Sequence, residues 1–251
     1  MHLLDLHEPF MPLFAEAVHW ADWPLQARLL DLGCGEGLKT DLLAATLNAQ
    51  GQIVAIDIDQ EALHQAAQRP YDWPCSIRWL RADAQALPFA DHSFKAVWCS
   101  ALLAALPDPS GVWREVRRIL QPDGILLVVT ASYTWAIMHH WPPELLQALQ
   151  IAYAQALANG DRRASSNELT SDLCEQIQVA GFAHVEGRAF VCENPQISPL
   201  AAELMLMPWE EVKQLLKPYL VDEVLAEAER CICPLEEPEL LSVLLMIRAR
   251  V

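Results

Sequence analysis

The chain has 251 residues, 53% of them hydrophobic, and sets 33 acidic against 17 basic side chains for a formal charge of −16. Tight binding to nucleic acid or to an anionic membrane needs clustered cations; here the one dense basic spot, Arg114, Arg117 and Arg118, reads as a solvated helix face. A chain of this size buries about 70–75% of its unfolded surface without disulfides, and its seven cysteines form no paired framework, which suits a reducing, cytoplasmic setting.

Residues 1–24 read as an N-terminal cap. Phe10, Leu13, Phe14, Ala17 and Val18 follow helical spacing before Asp22-Trp23-Pro24 breaks it. No secretory leader pattern opens the chain and no apolar run reaches about 18 residues, so neither export nor a membrane span is expected. A short apolar strand, Arg28 to Leu32, leads into a loop with glycines at 33, 35 and 37 and then a helix from about Lys39 to Leu47. Gln52 to Ile56 is a second strand, followed by a helix with Leu63, Ala66 and Ala67 inward. Ile77 to Leu80 and Ala96 to Cys99 are the third and fourth strands. Val112, Val116, Ile119 and Leu120 form one helical face, and Ile125 to Val129 is a fifth, leucine- and valine-rich strand of the kind buried in parallel sheets.

The pattern then changes. Pro143 to Asn159 reads as a helix with Leu145, Leu146, Leu149, Tyr153 and Leu157 inward and Gly160 as its stop. A helix over Thr170 to Ala180, a strand over His184 to Val191, two helices within 194–237 and a final strand from Leu240 complete the order. Cys231 and Cys233 are a close pair without two further ligands nearby, so no metal is expected. The whole is expected as one α/β domain with a core over 25–130 and helical lid segments over 131–165 and 194–238.

The loop after the first strand carries the chemistry. Glycines there let backbone approach a ligand where a Cβ would collide. Asp57, twenty residues past Gly37, closes the second strand, where a carboxylate can accept ribose hydroxyls. Dinucleotide sites want Gly-x-Gly-x-x-Gly, but position 38 is Leu and the glycines alternate. Asp31 and Glu36 flank the loop, which suits a ligand with an ammonium or sulfonium better than a pyrophosphate.

Leu30-Asp31-Leu32-Gly33-Cys34-Gly35-Glu36-Gly37 resembles the glycine loop of class I S-adenosylmethionine-dependent methyltransferases. Arg81 to Phe89, Asp91 to Ser100 and Glu115 to Gly124 resemble, in order, that family's third-strand acidic loop, fourth strand, and the helix and turn before its fifth strand. The likeness covers roughly 25–130 and is closest to the small-molecule (type 11-like) branch that includes quinone-ring methyltransferases. Lys95 and Asp123 depart from it, standing where that branch has an acid and a glycine.

The resemblance implies a Rossmann-like doubly wound, mostly parallel seven-stranded sheet with an antiparallel last strand. It implies S-adenosylmethionine as cofactor, S-adenosylhomocysteine as product, and a small-molecule acceptor; the aromatic and methionine residues of the lid segments, among them Trp135, Trp141 and Met205, suit an apolar or aromatic one. Asp31, Gly33, Cys34 and Gly35 then border the methionine end. Asp57 holds the ribose, Ile58 packs on the adenine, Asp83 and the Ala84 backbone meet its amine, and Ser100 faces the methyl. Methyl transfer is an in-line displacement, so the protein's main task is to hold the nucleophile about 3–3.5 Å from the methyl carbon. A base is needed only when the acceptor must lose a proton; His139, His140 and Tyr133 are the candidates. A monomer or homodimer is expected. A nicotinamide-dependent oxidoreductase and a cofactor-binding sensor or scaffold without catalysis are the competing readings.

Overall fold

The computed structural model describes residues 11–70, 72–103, 106, 109–132, 142–159, 173–194, 209–232 and 240–251. It divides into two compact units, one of Met1–Thr130, Ser171–Ala189 and Leu245–Val251, the other of Ala131–Thr170 and Phe190–Leu244.

The first unit opens with α1 (Met11–Ala21), which buries Phe14, Ala17, Val18 and Ala21 and stops where Asp22 turns to a φ of 55°. Strands β1 (Arg28–Leu32), β2 (Gln52–Asp57) and β3 (Ser76–Arg81) alternate with α2 (Leu38–Ala44) and α3 (Gln60–Gln68). Asp59 caps α3, accepting from the Glu61 and Ala62 backbone N–H groups, and Leu63 and Ala66 face inward. Strand β4 (Phe94–Ser100) is followed by α4 (Ser110–Ile119), whose Val112, Trp113, Val116 and Ile119 form one buried face, and then by β5 (Leu120–Ser132). After α5 (Pro143–Ala158) come α6 (Leu173–Val179), β6 (Ala183–Asn194), α7 (Trp209–Leu216), α8 (Asp222–Ile232) and β7 (Leu240–Arg250).

The strands form one seven-stranded sheet in the order β3-β2-β1-β4-β5-β7-β6. The pairs β3/β2, β2/β1, β1/β4 and β4/β5 are parallel, and the last strand runs antiparallel. β1 and β4 are neighbours although two strands separate them in sequence, so the winding reverses between them. A ligand crevice opens at such a switch point, beyond the carboxyl ends of the strands. β1 and β4 carry buried side chains on both faces, including Leu29, Leu30, Val97 and Trp98, as a covered parallel sheet requires.

Two local features differ from expectation. The fifth strand begins at Leu120 rather than Ile125, because Leu120 already pairs with Phe94 and the register shifts before Ala96 pairs with Ile125. The irregularity holds the Pro122-Asp123-Gly124 turn. Asp123 has a φ of 59°, and a Cβ on Gly124 would lie 2.8 Å from the Gln121 carbonyl oxygen. Lys95 donates to the Asp123 carbonyl at 3.0 Å, so the two residues that depart from the family pattern meet each other.

Arg118, in turn, is no simple solvated residue. Its guanidinium donates to the carbonyls of Leu87 and Phe89 and to the carboxylates of Asp91 and Glu115, at 2.7–3.0 Å. Glu115 also accepts the Leu87 N–H, and its bond to Arg118 holds the carboxyl below the usual range.

In the second unit α5, α7 and α8 share a small core of Leu145, Leu149, Ala152, Ala156, Leu215, Leu216, Leu225 and Ala228. Lys213 bridges to Glu229 across two of these helices at 2.8 Å. Among the described residues no helix is long and apolar enough to cross a membrane, and no group of His, Cys, Asp and Glu is placed to hold a metal ion. Cys233 lies outside the described residues.

Candidate functional site

The loop 33–37 is tied to the end of β2 by its own backbone. The N–H groups of Gly33 and Cys34 both reach the Ile56 carbonyl at 2.9 Å, and the Gly35 N–H donates to Asp57 Oδ2 at 2.8 Å. The other oxygen of Asp57 accepts the Asp59 N–H at 2.9 Å. Each carboxylate oxygen thus holds one backbone donor and keeps acceptor capacity for another.

Two glycines here are required for different reasons. Gly33, at a φ of 77°, would place a Cβ 3.1 Å from the Leu102 side chain. Gly35, at a φ of 52°, would place its Cβ where nothing lies within 4 Å. The space in front of Gly35 is therefore open to a ligand.

Asp31 lies one residue before the end of β1 and is 2% exposed. Thr40, in the first turns of α2, donates its hydroxyl to Asp31 Oδ2 at 2.6 Å. Burial raises the Asp31 carboxyl to about 6 despite the Thr40 bond and nearby Lys39; the Asp57 charge pushes the same way as burial. Burial also lowers the Lys39 amine to about 8, with Asp31 opposing. Lys39 Nζ sits 4.7 Å from the centre of the Phe14 ring on α1. Phe14 also packs edge-on against Trp98.

Asp31 pairs in register with Trp98, and side chains alternate along a strand, so Asp31, Trp98 and Ser100 share a face of the sheet. Ser100 is buried and its Oγ has no hydrogen-bond partner among the described residues. The chain turns sharply after it, with Ala101 at a φ of 58° and its N–H bonded to the Val129 carbonyl. The Cys34 and Cys99 thiols are both pushed up by burial, Cys99 to about 12. Neither supplies a thiolate nucleophile near neutral pH.

Beyond β2, Ile58 exposes 64% of its surface, an unusual state for an isoleucine beside a crevice. The loop after β3 is stitched to this edge by Ala82 N–H to the Asp57 carbonyl and by Arg81 to the Ile58 carbonyl. In that loop Asp83 is exposed; its Oδ1 accepts the Gln85 N–H at 2.8 Å, and Ala84 is half-buried.

The structure therefore brings Asp31, Gly33, Cys34, Gly35, Asp57, Ile58, Asp83, Ala84 and Ser100 to the carboxyl edge of β1–β4 in one unit. His139, His140 and Tyr133 lie outside the described residues. Thr40, Lys39 and Phe14 were not anticipated. The one sequence signal for the first two is a lysine and a threonine in the helix behind the loop, eight and nine residues after a buried strand acid. A separate cavity of about 510 Å³ lies along α4 and α6, lined by Trp113, Arg114, Arg117, Gln176 and Val179 among others. It contains no residue of the glycine loop.

Residues 30–128 match the methyltransferase domain family. The chain is 37% identical over 117 residues to a 2-phytyl-1,4-naphtoquinone methyltransferase of Thermosynechococcus vestitus, a match covering 47% of this chain and 52% of that protein. It spans about half the length of the curated relatives it matches. Among solved structures it resembles the YcgJ protein of Bacillus subtilis at a TM-score of 0.62 and 16% identity, covering 96% of this chain and 98% of the other. It also resembles phosphoethanolamine N-methyltransferase 2 of Haemonchus contortus in complex with S-adenosyl-L-methionine, at a TM-score of 0.58 and 14% identity, covering 98% and 56%.

Proposed function

Because this chain belongs to the class I S-adenosylmethionine-dependent methyltransferases, we propose that it transfers a methyl group from S-adenosylmethionine to a small, apolar or aromatic acceptor, a quinone-type ring in the first instance. The observation that carries this reading is the pairing of Gly35 with Asp57: an acid locked to a glycine whose outer side faces open space.

The residues present fit the cofactor. Asp57 has acceptor capacity left for two ribose hydroxyls, Ile58 offers an exposed apolar face for a purine, and Asp83 keeps Oδ2 for the adenine amine. Asp31 keeps Oδ1 for an ammonium, and Ser100 has an unpartnered hydroxyl on the same face. When bound, the cofactor supplies an activated methyl group. The protein's share is to orient, to exclude water and to balance charge. The acids Asp31 and Asp57 favour a cationic ligand over an anionic one, which weighs against a dinucleotide pyrophosphate. With both thiols at the site protonated, no covalent enzyme intermediate on cysteine is called for. The quinone-type acceptor rests on the named activity of the naphthoquinone-methylating relative.

Incubating the chain with S-adenosylmethionine and a panel of reduced quinones, phenols, amines and carboxylates tests this. Mass spectrometry is expected to find S-adenosylhomocysteine together with a quinol heavier by one methyl group. Methylation confined to amines or carboxylates removes the quinone-type assignment; no methylated product from any class, with the cofactor demonstrably bound, removes catalysis.

A further inference from the structure

Among the described residues Lys39 is a cation without an ion pair. It stands in the first turn of α2, two residues past Gly37, and its side chain is only partly open to solvent. Its amine lies over the Phe14 ring, yet among the described residues it has neither an ion pair nor a hydrogen bond. Elsewhere in this unit Arg69, Arg118 and Arg248 pair with carboxylates, and Lys95, Arg81 and Arg117 donate to backbone carbonyls. A lysine that only covered an aromatic ring would carry its charged head out to water. This one is drawn in far enough for burial to lower it to about 8.

The acid that acts on it is Asp31, which has Oδ2 taken by Thr40 and no hydrogen bond to Oδ1 among the described residues. The two opposite charges feel each other but form no ion pair. The remaining titratable groups that bear on the pair are Asp57 at the end of β2, Cys34 in the loop and Cys99 on β4. Both thiols are protonated, which leaves Lys39 as the one positive group of this cluster. An amino-acid zwitterion presents the complementary pattern, an ammonium and a carboxylate on one carbon. Charge-assisted hydrogen bonds of this kind are about twice as strong as neutral ones.

We propose that Lys39 is a specificity-determining residue that takes the carboxylate of the cofactor's amino-acid end while Asp31 takes its ammonium. The proposal rests on the S-adenosylmethionine reading above. It makes the glycine-loop helix, through a side chain rather than its backbone, a selector for nucleosides that carry an intact amino acid. Phe14 sets the height of the amine, which links α1 to the same discrimination.

The test is calorimetric titration of S-adenosylhomocysteine, which has the zwitterion, and of 5′-methylthioadenosine, which lacks it, into the wild-type chain, Lys39→Met and Lys39→Arg. Lys39→Met is expected to weaken S-adenosylhomocysteine about tenfold or more while methylthioadenosine changes less than about threefold, and Lys39→Arg is expected to restore most of the loss. Equal weakening of both nucleosides in a folded Lys39→Met, as checked by circular dichroism, gives the lysine a structural role and overturns the proposal. No change for either ligand also overturns it. If the wild-type chain binds methylthioadenosine and S-adenosylhomocysteine equally, the selector is absent although the nucleoside site stands. If it binds neither, the cofactor reading itself fails and the proposal goes with it.

Discussion

Two loops at opposite edges of the sheet are held in opposite ways. The segment 87–92 ahead of β4 is held by one saturated group: the Arg118 guanidinium spends its donors on Leu87, Phe89, Asp91 and Glu115, and Glu115 closes the circuit on the Leu87 N–H. The glycine loop 33–37 is held by groups that are only half used. Asp57 keeps acceptor capacity and Asp31 keeps an oxygen, while among the described residues Lys39 has no ion pair and the Ser100 hydroxyl no partner. Buried or partly buried polar groups are nearly always satisfied in folded proteins. Unspent polarity around one loop, against fully spent polarity around the other, separates the part that awaits a ligand from the part that holds the frame.

The contrast is breakable by substitution. The largest effect is expected from Asp57→Ala, which removes the bonds to Gly35 and Asp59 together with the ribose acceptor. S-adenosylhomocysteine affinity is expected to fall about 30-fold or more by calorimetry, in line with charged hydrogen bonds worth about 1.5–3 kcal/mol each. A loss under about threefold breaks the comparison at its centre. Arg118→Met is expected to do the reverse: urea denaturation reads a loss of about 1–2 kcal/mol, discounted because the network is partly exposed. Affinity of the folded fraction then stays within about threefold. A selective loss of binding with unchanged stability contradicts the division into frame and site.

A third, pH-dependent effect isolates Asp31. Its native carboxyl is raised to about 6 from 3.8, so the folded state holds a proton that the unfolded chain has lost. Stability is therefore lost as pH rises from about 4 to about 6, by up to about 3 kcal/mol. Asp31→Asn lacks this term. The melting temperature of the Asn variant minus that of the wild type is expected to climb across that window and level off above it. A difference that is flat from pH 4 to 7 removes the raised carboxyl from the account. The smallest effect is expected from Ser100→Ala: its hydroxyl has no partner among the described residues, so stability is expected to change by less than about 0.5 kcal/mol or to rise. A loss above about 1 kcal/mol shows that the hydroxyl is already satisfied.

The frame was readable in the sequence because apolar strands, glycine punctuation and helix periodicity are local signals. β1 and β2 follow directly from the runs Arg28 to Leu32 and Gln52 to Ile56. The early start of β5 was not readable, since Leu120 belongs by spacing to the preceding helix face and joins the strand only through its pairing with Phe94. The Arg118 clamp was hidden for a related reason. Three arginines on one helix look equivalent until the loop 87–92 folds back onto one of them. Asp31, Asp57 and Gly35 announce themselves by spacing. Thr40, Lys39 and Phe14 do not, because their meeting with Asp31 depends on how α1 and α2 pack over the sheet.

The most direct test of the central claim is paired calorimetric titration of the unmodified chain with S-adenosylhomocysteine and with NAD at the same ionic strength. The account predicts saturable one-to-one binding of S-adenosylhomocysteine and no measurable heat with NAD. Binding of NAD in preference, or of neither, contradicts it.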